Sequence, residues 1–410
     1  MRILVLSSVF PNATQATLGV FVHARVARMA QRSEVVVVAP VPWFPLNRLL
    51  RGRARNDVPA RERQGTLTVY HPRFLSVPAV LKCLDGFLYF LSVLPHVWRL
   101  RRSFAFDLID AHFTYPDGIA ACLLGKVFRC PVSVTLRGTL VPLSRYRLRR
   151  PQLAWTLRRV DRILAVSESL RELALRLGAP AGRIRVIPNG VDTATFAPGS
   201  RHEARAALGL PAARPILISV GILSPRKGHQ RVLAALPEVL RHYPDLLYVV
   251  VGGPSGEGDT GPLLRRTIEE LRLADHVRLV GSRPPGEIAR WLAAGDVFCL
   301  ATSNEGRPNA VMEALACGVP VVTTRVGGNA EIIEEGRNGL LVPLDDSAAL
   351  SRALVTALKT DWNHAAIAAP WQARSWDRTA TEVLREFASL VGPQAPDTAE
   401  AALPGQTPRR

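Results

Sequence analysis

Two glutamates eight positions apart carry the most chemistry in this sequence. They lie in the segment ATSNEGRPNAVMEALACGVPVVTTRVGG, residues 301–328, as Glu305 and Glu313. The β-branched run Val297–Ala301 reads as a strand, a Gly-containing loop follows, and Pro308 stands where a helix would begin. Ala310, Val311, Ala314 and Leu315 then space an amphipathic helix that stops at Gly318. The first amides of that helix, at Asn309 and Ala310, have no carbonyl one turn back, so they form an anion site suited to a diphosphate. Pro308 has no N–H to give and shapes the loop instead. A carboxylate beside a bound anion would repel it, so Glu305 must face hydroxyls or developing positive charge instead. Glu313, inside the helix, can accept hydrogen bonds from ribose hydroxyls, as acidic residues do in dinucleotide folds. His112 ends another strand candidate, where its ring would face a ligand in a cleft.

Those residues need a scaffold that gathers strand ends. Short β-branched runs alternate with helical stretches throughout, the pattern of parallel sheets with crossover helices. The first half predicts strands at Ile3–Leu6, Val35–Ala39, Leu67–His71, Leu108–Ala111, Val132–Leu136, Ile163–Val166 and Arg185–Ile187. The second predicts Ile216–Val220, Leu247–Val251, Val277–Val280, Val297–Ala301 and Val319–Thr323. Both sets have apolar cores, as strands covered on both faces should. The reading is an α/β chain of two doubly wound, Rossmann-like domains facing a central cleft. The first covers residues 1–195, the second 196–375, a final helix 376–391 and a disordered tail 392–410. The Pro- and Gly-bearing stretch Asn189–Arg214 is the expected linker.

Here the sequence resembles a known family. Glu305-Gly306 running through Glu313-Ala-Leu-Ala-Cys-Gly-Val-Pro is similar to the E-x7-E signature of retaining family-4 glycosyltransferases of GT-B fold. Ile187-Pro-Asn-Gly-Val-Asp192, Val220-Gly-Ile-Leu-Ser-Pro-Arg-Lys-Gly228 and Arg325-Val-Gly-Gly-Asn-Ala-Glu331 extend the resemblance. It implies that Glu305 and His112 act at the donor sugar, that Glu313 holds the nucleotide ribose, and that Arg226 and Lys227 meet the diphosphate with the Asn309 and Ala310 amides. Gly281 and Ser282 would belong to the loop that reads the nucleobase, and Gly19 would let its loop approach the donor. The family often has Arg after the glycine equivalent to Gly221, where this chain has Ile222. Arg137-Gly138 stands where His-Gly is more usual, which suggests contact with an anionic acceptor. The resemblance also implies a C-terminal helix returning to the first domain. Its chemistry would be front-face sugar transfer from a nucleotide-sugar donor, in which the leaving phosphate takes the acceptor proton.

Composition narrows the partners. Apolar residues make up 48% and charged residues 21% of the 410, which provides a large core and excludes global disorder. The formal charge is +18, and residues 1–200 supply all of it, with 29 basic against 11 acidic side chains. Such a lobe favours an anionic partner. The choice here is a glycan or lipid-pyrophosphate-linked acceptor at an anionic membrane surface, in exopolysaccharide or related surface-polysaccharide assembly. That places the chain in the cytoplasm, peripheral to the inner face of the membrane. Nucleic acid is disfavoured because no aromatic interleaving or reading motif accompanies the charge. A phosphorylase of similar fold would need a pyridoxal-bearing lysine, and of four lysines only Lys227 has a site context. An inactive scaffold is disfavoured because both glutamates and Lys227 are present. No D-x-D and no His/Cys cluster occurs, so no metal or other cofactor is expected. Five cysteines without C-x-x-C spacing fit a reducing compartment. Ile3–Leu6 is too short for a signal-peptide core, and no run of about 20 apolar residues spans a bilayer. Phe74–Trp98, followed by Arg99, Arg101 and Arg102, reads either as a membrane-interface helix or as one packed on the core.

Overall fold

The computed structural model describes residues 1–44, 57–77, 81–254 and 258–392. Of the tail expected over 392–410 all but Gly392 lies outside the described residues, as do residues 78–80 of the Phe74–Trp98 stretch.

The first unit contains β1 (Arg2–Leu6), β2 (Glu34–Val38), β3 (Val41–Trp43), β4 (Arg61–Gln64), β5 (Leu67–Tyr70), β6 (Arg73–Leu75), β7 (Leu108–His112), β8 (Val132–Leu136), β9 (Arg162–Ala165) and β10 (Ile184–Val186). Its main sheet has the order β10-β9-β8-β7-β1-β2-β5-β4 and is parallel except for the β4–β5 hairpin. The second unit contains β11 (Ile216–Val220), β12 (Leu247–Val251), β13 (Val277–Gly281), β14 (Val297–Leu300), β15 (Val321–Thr324) and β16 (Gly339–Val342), in the order β13-β12-β11-β14-β15-β16. Central strands such as β7, β8, β11 and β12 are buried at every position, because helices cover both faces. This is the GT-B arrangement of two Rossmann-like domains.

Four strands escaped the sequence reading. The Arg-Glu-Arg-Gln of β4 is polar because it pairs on one side only, at the sheet edge. β3, β6 and β16 are three or four residues long and show no clear period. The linker is also shorter than expected. Arg201–Ala207 forms a helix capped by Ser200, whose Oγ accepts from the Glu203 amide at 3.2 Å, and Val191, Phe196, Ala204 and Leu210 already pack in the second core. Ser200-x-x-Glu203 is the local pattern of a helix start.

The chain crosses between units twice, and the crossings are tied together. The Val191 amide donates to the Arg374 carbonyl at 2.9 Å, and Arg374 bonds both the Pro188 carbonyl and Glu382. The final helix, Trp376–Val391, then returns to the first unit. Ala380, Val383 and Phe387 are buried there among Val22, Val26 and Met29 of the helix Val20–Met29.

Candidate active site

Topology decides where the chemistry lies. In the second sheet the chain moves from β11 outward through β12 and β13, then returns to the other side of β11 as β14. Open α/β sheets bind their ligands at the carboxyl ends of the strands where such a reversal occurs, here β11 and β14. The β11 loop carries Arg226 and Lys227; the β14 loop carries Glu305. Gly228, at φ 78°, joins them: a Cβ there would lie 1.8 Å from the Ala301 carbonyl oxygen, so only glycine permits the approach. The Arg226 carbonyl accepts from the Ser303 amide at 2.8 Å and from Thr302 Oγ1 at 3.0 Å. So docked, Arg226 Nη1 and Lys227 Nζ both donate to Glu305 Oε1, at 3.0 and 2.7 Å. Glu305 is thereby held between two cations and is 9% exposed.

The helix Asn309–Ala316 starts beyond Glu305 with no side-chain cap on its first turn. Its amides at Asn309 and Ala310 therefore keep the anion-binding potential that Pro308 implied. Burial pushes the Glu313 carboxyl up to about 7, against the nearby Lys227 charge, and Asp192 adds to the rise. Gly281 and Ser282 end β13 on the same rim; Ser282 packs on Gly253, and the Lys227 stem packs on Gly221. Gly327 and Gly328 back the Glu305-Gly306 backbone from behind, which accounts for the glycines in the Arg325–Glu331 stretch.

The first unit has the same design, its switch lying between β1 and β7. Here the outcome differs from the sequence expectation. His112, at the end of β7, is 0% exposed and lines no open space. Its Nε2 lies 3.2 Å from Asp110 Oδ2 and 2.6 Å from Arg25 Nη2, and its Nδ1 lies 3.4 Å from Arg137 Nη2. Burial and the Arg25 guanidinium pull the ring's pKa down to about 3, so it is neutral at physiological pH. Burial alone would raise Asp110; Arg25, His112 and Arg137 hold it below the usual carboxylate range.

Arg137 is not a free cation awaiting an acceptor. It is 5% exposed, stacks 4.5 Å over the Phe21 ring, and donates from Nη1 to Asn189 Oδ1 at 3.2 Å. Asn189 Nδ2 in turn donates to Asn309 Oδ1 at 2.9 Å. A polar chain therefore runs from Arg25 and Asp110 through His112, Arg137 and Asn189 to the start of the anion-binding helix. Gly19, with φ 68°, starts the helix that carries Phe21 and Arg25.

The two units meet at this point. A Cβ on Gly138 would lie 2.8 Å from the Gly306 nitrogen, and Asn304 Nδ2 donates to the Gly138 carbonyl at 3.2 Å. Glu331 accepts from the Glu168 and Ser169 amides at 2.8 and 2.9 Å, so a second-unit carboxylate caps a first-unit helix. Sequence reading assigned no role to Arg25, Asp110, Asn189, Asn304 or Glu331. Asn189 and Glu331 stood inside quoted motifs, but nothing local shows that they reach across a cleft.

Two family profiles match: "Glycosyltransferase Family 4" over residues 18–195 and "Glycosyl transferases group 1" over residues 200–369. D-inositol 3-phosphate glycosyltransferase from Corynebacterium efficiens is 32% identical over 302 residues, covering 69% of this chain and 71% of that protein. The enzyme of the same name from Corynebacterium urealyticum is 37% identical over 218 residues, 51% of each chain, so the match spans about half the length of that relative. A putative teichuronic acid biosynthesis glycosyltransferase, TuaC of Bacillus subtilis, is 28% identical over 84% of this chain and 86% of its own. Among solved structures, sucrose-phosphate synthase from Thermosynechococcus elongatus superposes with TM-score 0.77 at 21% identity, covering 95% of this chain and 99% of its own. Anabaena HepE, crystallised with UDP-glucose, gives 0.74 at 21%, covering 95% and 100%. Matched along both halves and built on two facing Rossmann-like sheets, the chain belongs to the family-4 glycosyltransferases of GT-B fold.

Proposed function

We propose that the protein transfers a sugar from a nucleoside-diphosphate donor to a lipid-linked glycan acceptor, with retention of anomeric configuration and without a metal, in surface-polysaccharide assembly. The observation that carries this reading is the shared carboxylate oxygen: Arg226 and Lys227 converge on Glu305 Oε1 beside the open start of the Asn309 helix. A diphosphate arriving at that helix would draw both cations to itself and release Glu305 to accept from hydroxyls of the donor sugar. The cations then stabilise charge as it builds on the leaving nucleotide. Retention follows if the acceptor attacks from the face the phosphate leaves and gives its proton to that phosphate. His112, neutral and enclosed, orients Arg137 and is not itself a proton donor in this scheme.

The relatives support the class of substrate. HepE was crystallised with UDP-glucose, TuaC is named for teichuronic acid biosynthesis, and the inositol enzymes are named for a phosphorylated compound, D-inositol 3-phosphate, which suits an arginine-rich lobe. The site of reaction would be the cytoplasmic face of the membrane. The test is a thermal-shift panel of nucleotide sugars on the full chain. A true donor at ~100 times its Kd stabilises by roughly 2.7 kcal/mol. Product NMR after transfer to a lipid-pyrophosphate glycan then reads the anomeric outcome. An inverted anomer refutes retention, loss of turnover in chelator restored by magnesium refutes metal independence, and no stabilisation by any nucleotide sugar refutes the donor class.

A further inference from the structure

The helix Asp85–Ser103 is apolar on two faces. Tyr89, Val93, Val97 and Leu100 enter the core of the first unit. On the opposite side Leu84, Phe87, Leu91 and Trp98 are 44%, 52%, 47% and 53% exposed, with Pro95 between them. Their spacing of three and four residues forms one continuous outward stripe. Ten of the thirteen large exposed hydrophobics among the described residues belong to this unit, the same one that holds the whole excess of positive charge.

Basic side chains stand at both ends of the stripe. At one end the Tyr115 hydroxyl bonds the Lys82 carbonyl, and Arg149 stacks 5.5 Å over Tyr115 and 5.0 Å over Tyr146. This brings the exposed Arg145, Tyr146, Arg147, Leu148 and Arg150 alongside. At the other end Trp98 lies 5.7 Å from Phe128, whose neighbours in the chain Lys126 and Arg129 are exposed, and Arg99 and Arg102 follow on the helix itself. Residues 119–160 contain no acidic side chain, and the helix's one carboxylate, Asp85, is paired with Lys82 at 3.1 Å.

We infer that this face docks on an anionic lipid bilayer, the stripe entering the interface and the flanking arginines meeting headgroup phosphates. A second copy of the chain is the wrong occupant, because it would oppose one net-cationic rim to another. The aromatic residues Trp98 and Tyr146 suit the headgroup level. The face also explains how a lipid-linked acceptor would reach the cleft: the segment carrying Arg145–Arg150 follows Gly138, which touches Gly306 across the active site. The inference deepens the proposed function and rests on its lipid-linked acceptor.

Co-sedimentation of the full chain with vesicles tests it, using phosphatidylglycerol in phosphatidylcholine against phosphatidylcholine alone, at low and high salt. Binding is expected to the anionic vesicles, to weaken with salt, and to fall about fivefold for each of Arg99→Gln and Arg102→Gln. Phe87→Ser with Leu91→Ser should lower it at least ~tenfold, since two half-exposed apolar side chains lose their place in the interface. All four positions are exposed, so melting temperature and turnover on a water-soluble acceptor should not change. Equal binding to neutral vesicles overturns the inference, as does binding unaffected by both variant pairs. A dimer that Phe87→Ser dissociates overturns it in favour of a second copy. Vesicle binding without transfer from any nucleotide sugar would instead sink the proposed function and leave the docking face standing.

Discussion

Glu313 offers the sharpest test, because its surroundings give it a titration that donor binding should reverse. Burial lifts its carboxyl from 4.5 to about 7, so ionising it in the empty cleft costs about 3 kcal/mol. Ribose hydroxyls donating to the group favour the ionised form and would return it toward its ordinary value. At pH 6 about nine-tenths of empty molecules carry the proton, and at pH 8 about one-tenth. Binding a nucleotide sugar should therefore release close to one proton at pH 6 and about a tenth of one at pH 8. The apparent Kd should be roughly tenfold higher at the lower pH, since only the ionised fraction is competent. Calorimetry in buffers of different ionisation enthalpy measures the release directly. In Glu313→Gln the release and the pH dependence should vanish, and affinity at pH 8 should drop about tenfold, as a charged hydrogen bond becomes a neutral one. A parent protein that binds without releasing a proton, or a variant that keeps the release, refutes the reasoning.

Three further outcomes follow from the same geometry. Lys227→Met leaves Glu305 paired with Arg226, so the fold should persist while kcat falls about a hundredfold or more through loss of one cation at the leaving group; near-parental turnover would rule that role out. Asn189→Ala and Arg137→Met cut one polar chain at adjacent links, so each should raise the donor KM, and the double variant should be less than additive by about 1 kcal/mol; full additivity would mean the two act separately. His112 is neutral in the fold with a pKa near 3 against an ordinary 6.5, so only the unfolded chain takes up its proton, and parental stability falls as pH drops from 6.5 toward 3, by up to about 1.4 kcal/mol per unit. The raised Glu313 acts in the opposite sense, losing stability as pH rises from 4.5 to 7. Denaturation across pH 4–8 should show the parent's advantage over His112→Gln shrinking with acid, and its deficit against Glu313→Gln growing with pH; flat differences would contradict both assignments.

What the sequence determined by itself is the material of each domain and the charged side chains that the β11 and β14 loops carry. Apolar β-branched runs of four or five residues set between helical stretches read as strands covered on both faces, and Pro308 ahead of Ala310, Val311, Ala314 and Leu315 reads as a helix start; both form here. Local covalent structure and periodicity settle such features, so they can be read residue by residue. What the tertiary structure decided is adjacency. Arg226 and Glu305 are 79 positions apart, and they meet because β14 returns beside β11, a choice of strand order that no local pattern encodes. The same holds for Arg137: an arginine at a strand end reads as available charge, and only packing against Phe21, His112 and Asn189 turns it into a buried strut. Charge type is a property of the side chain, but its availability belongs to whatever the fold brings within hydrogen-bonding distance.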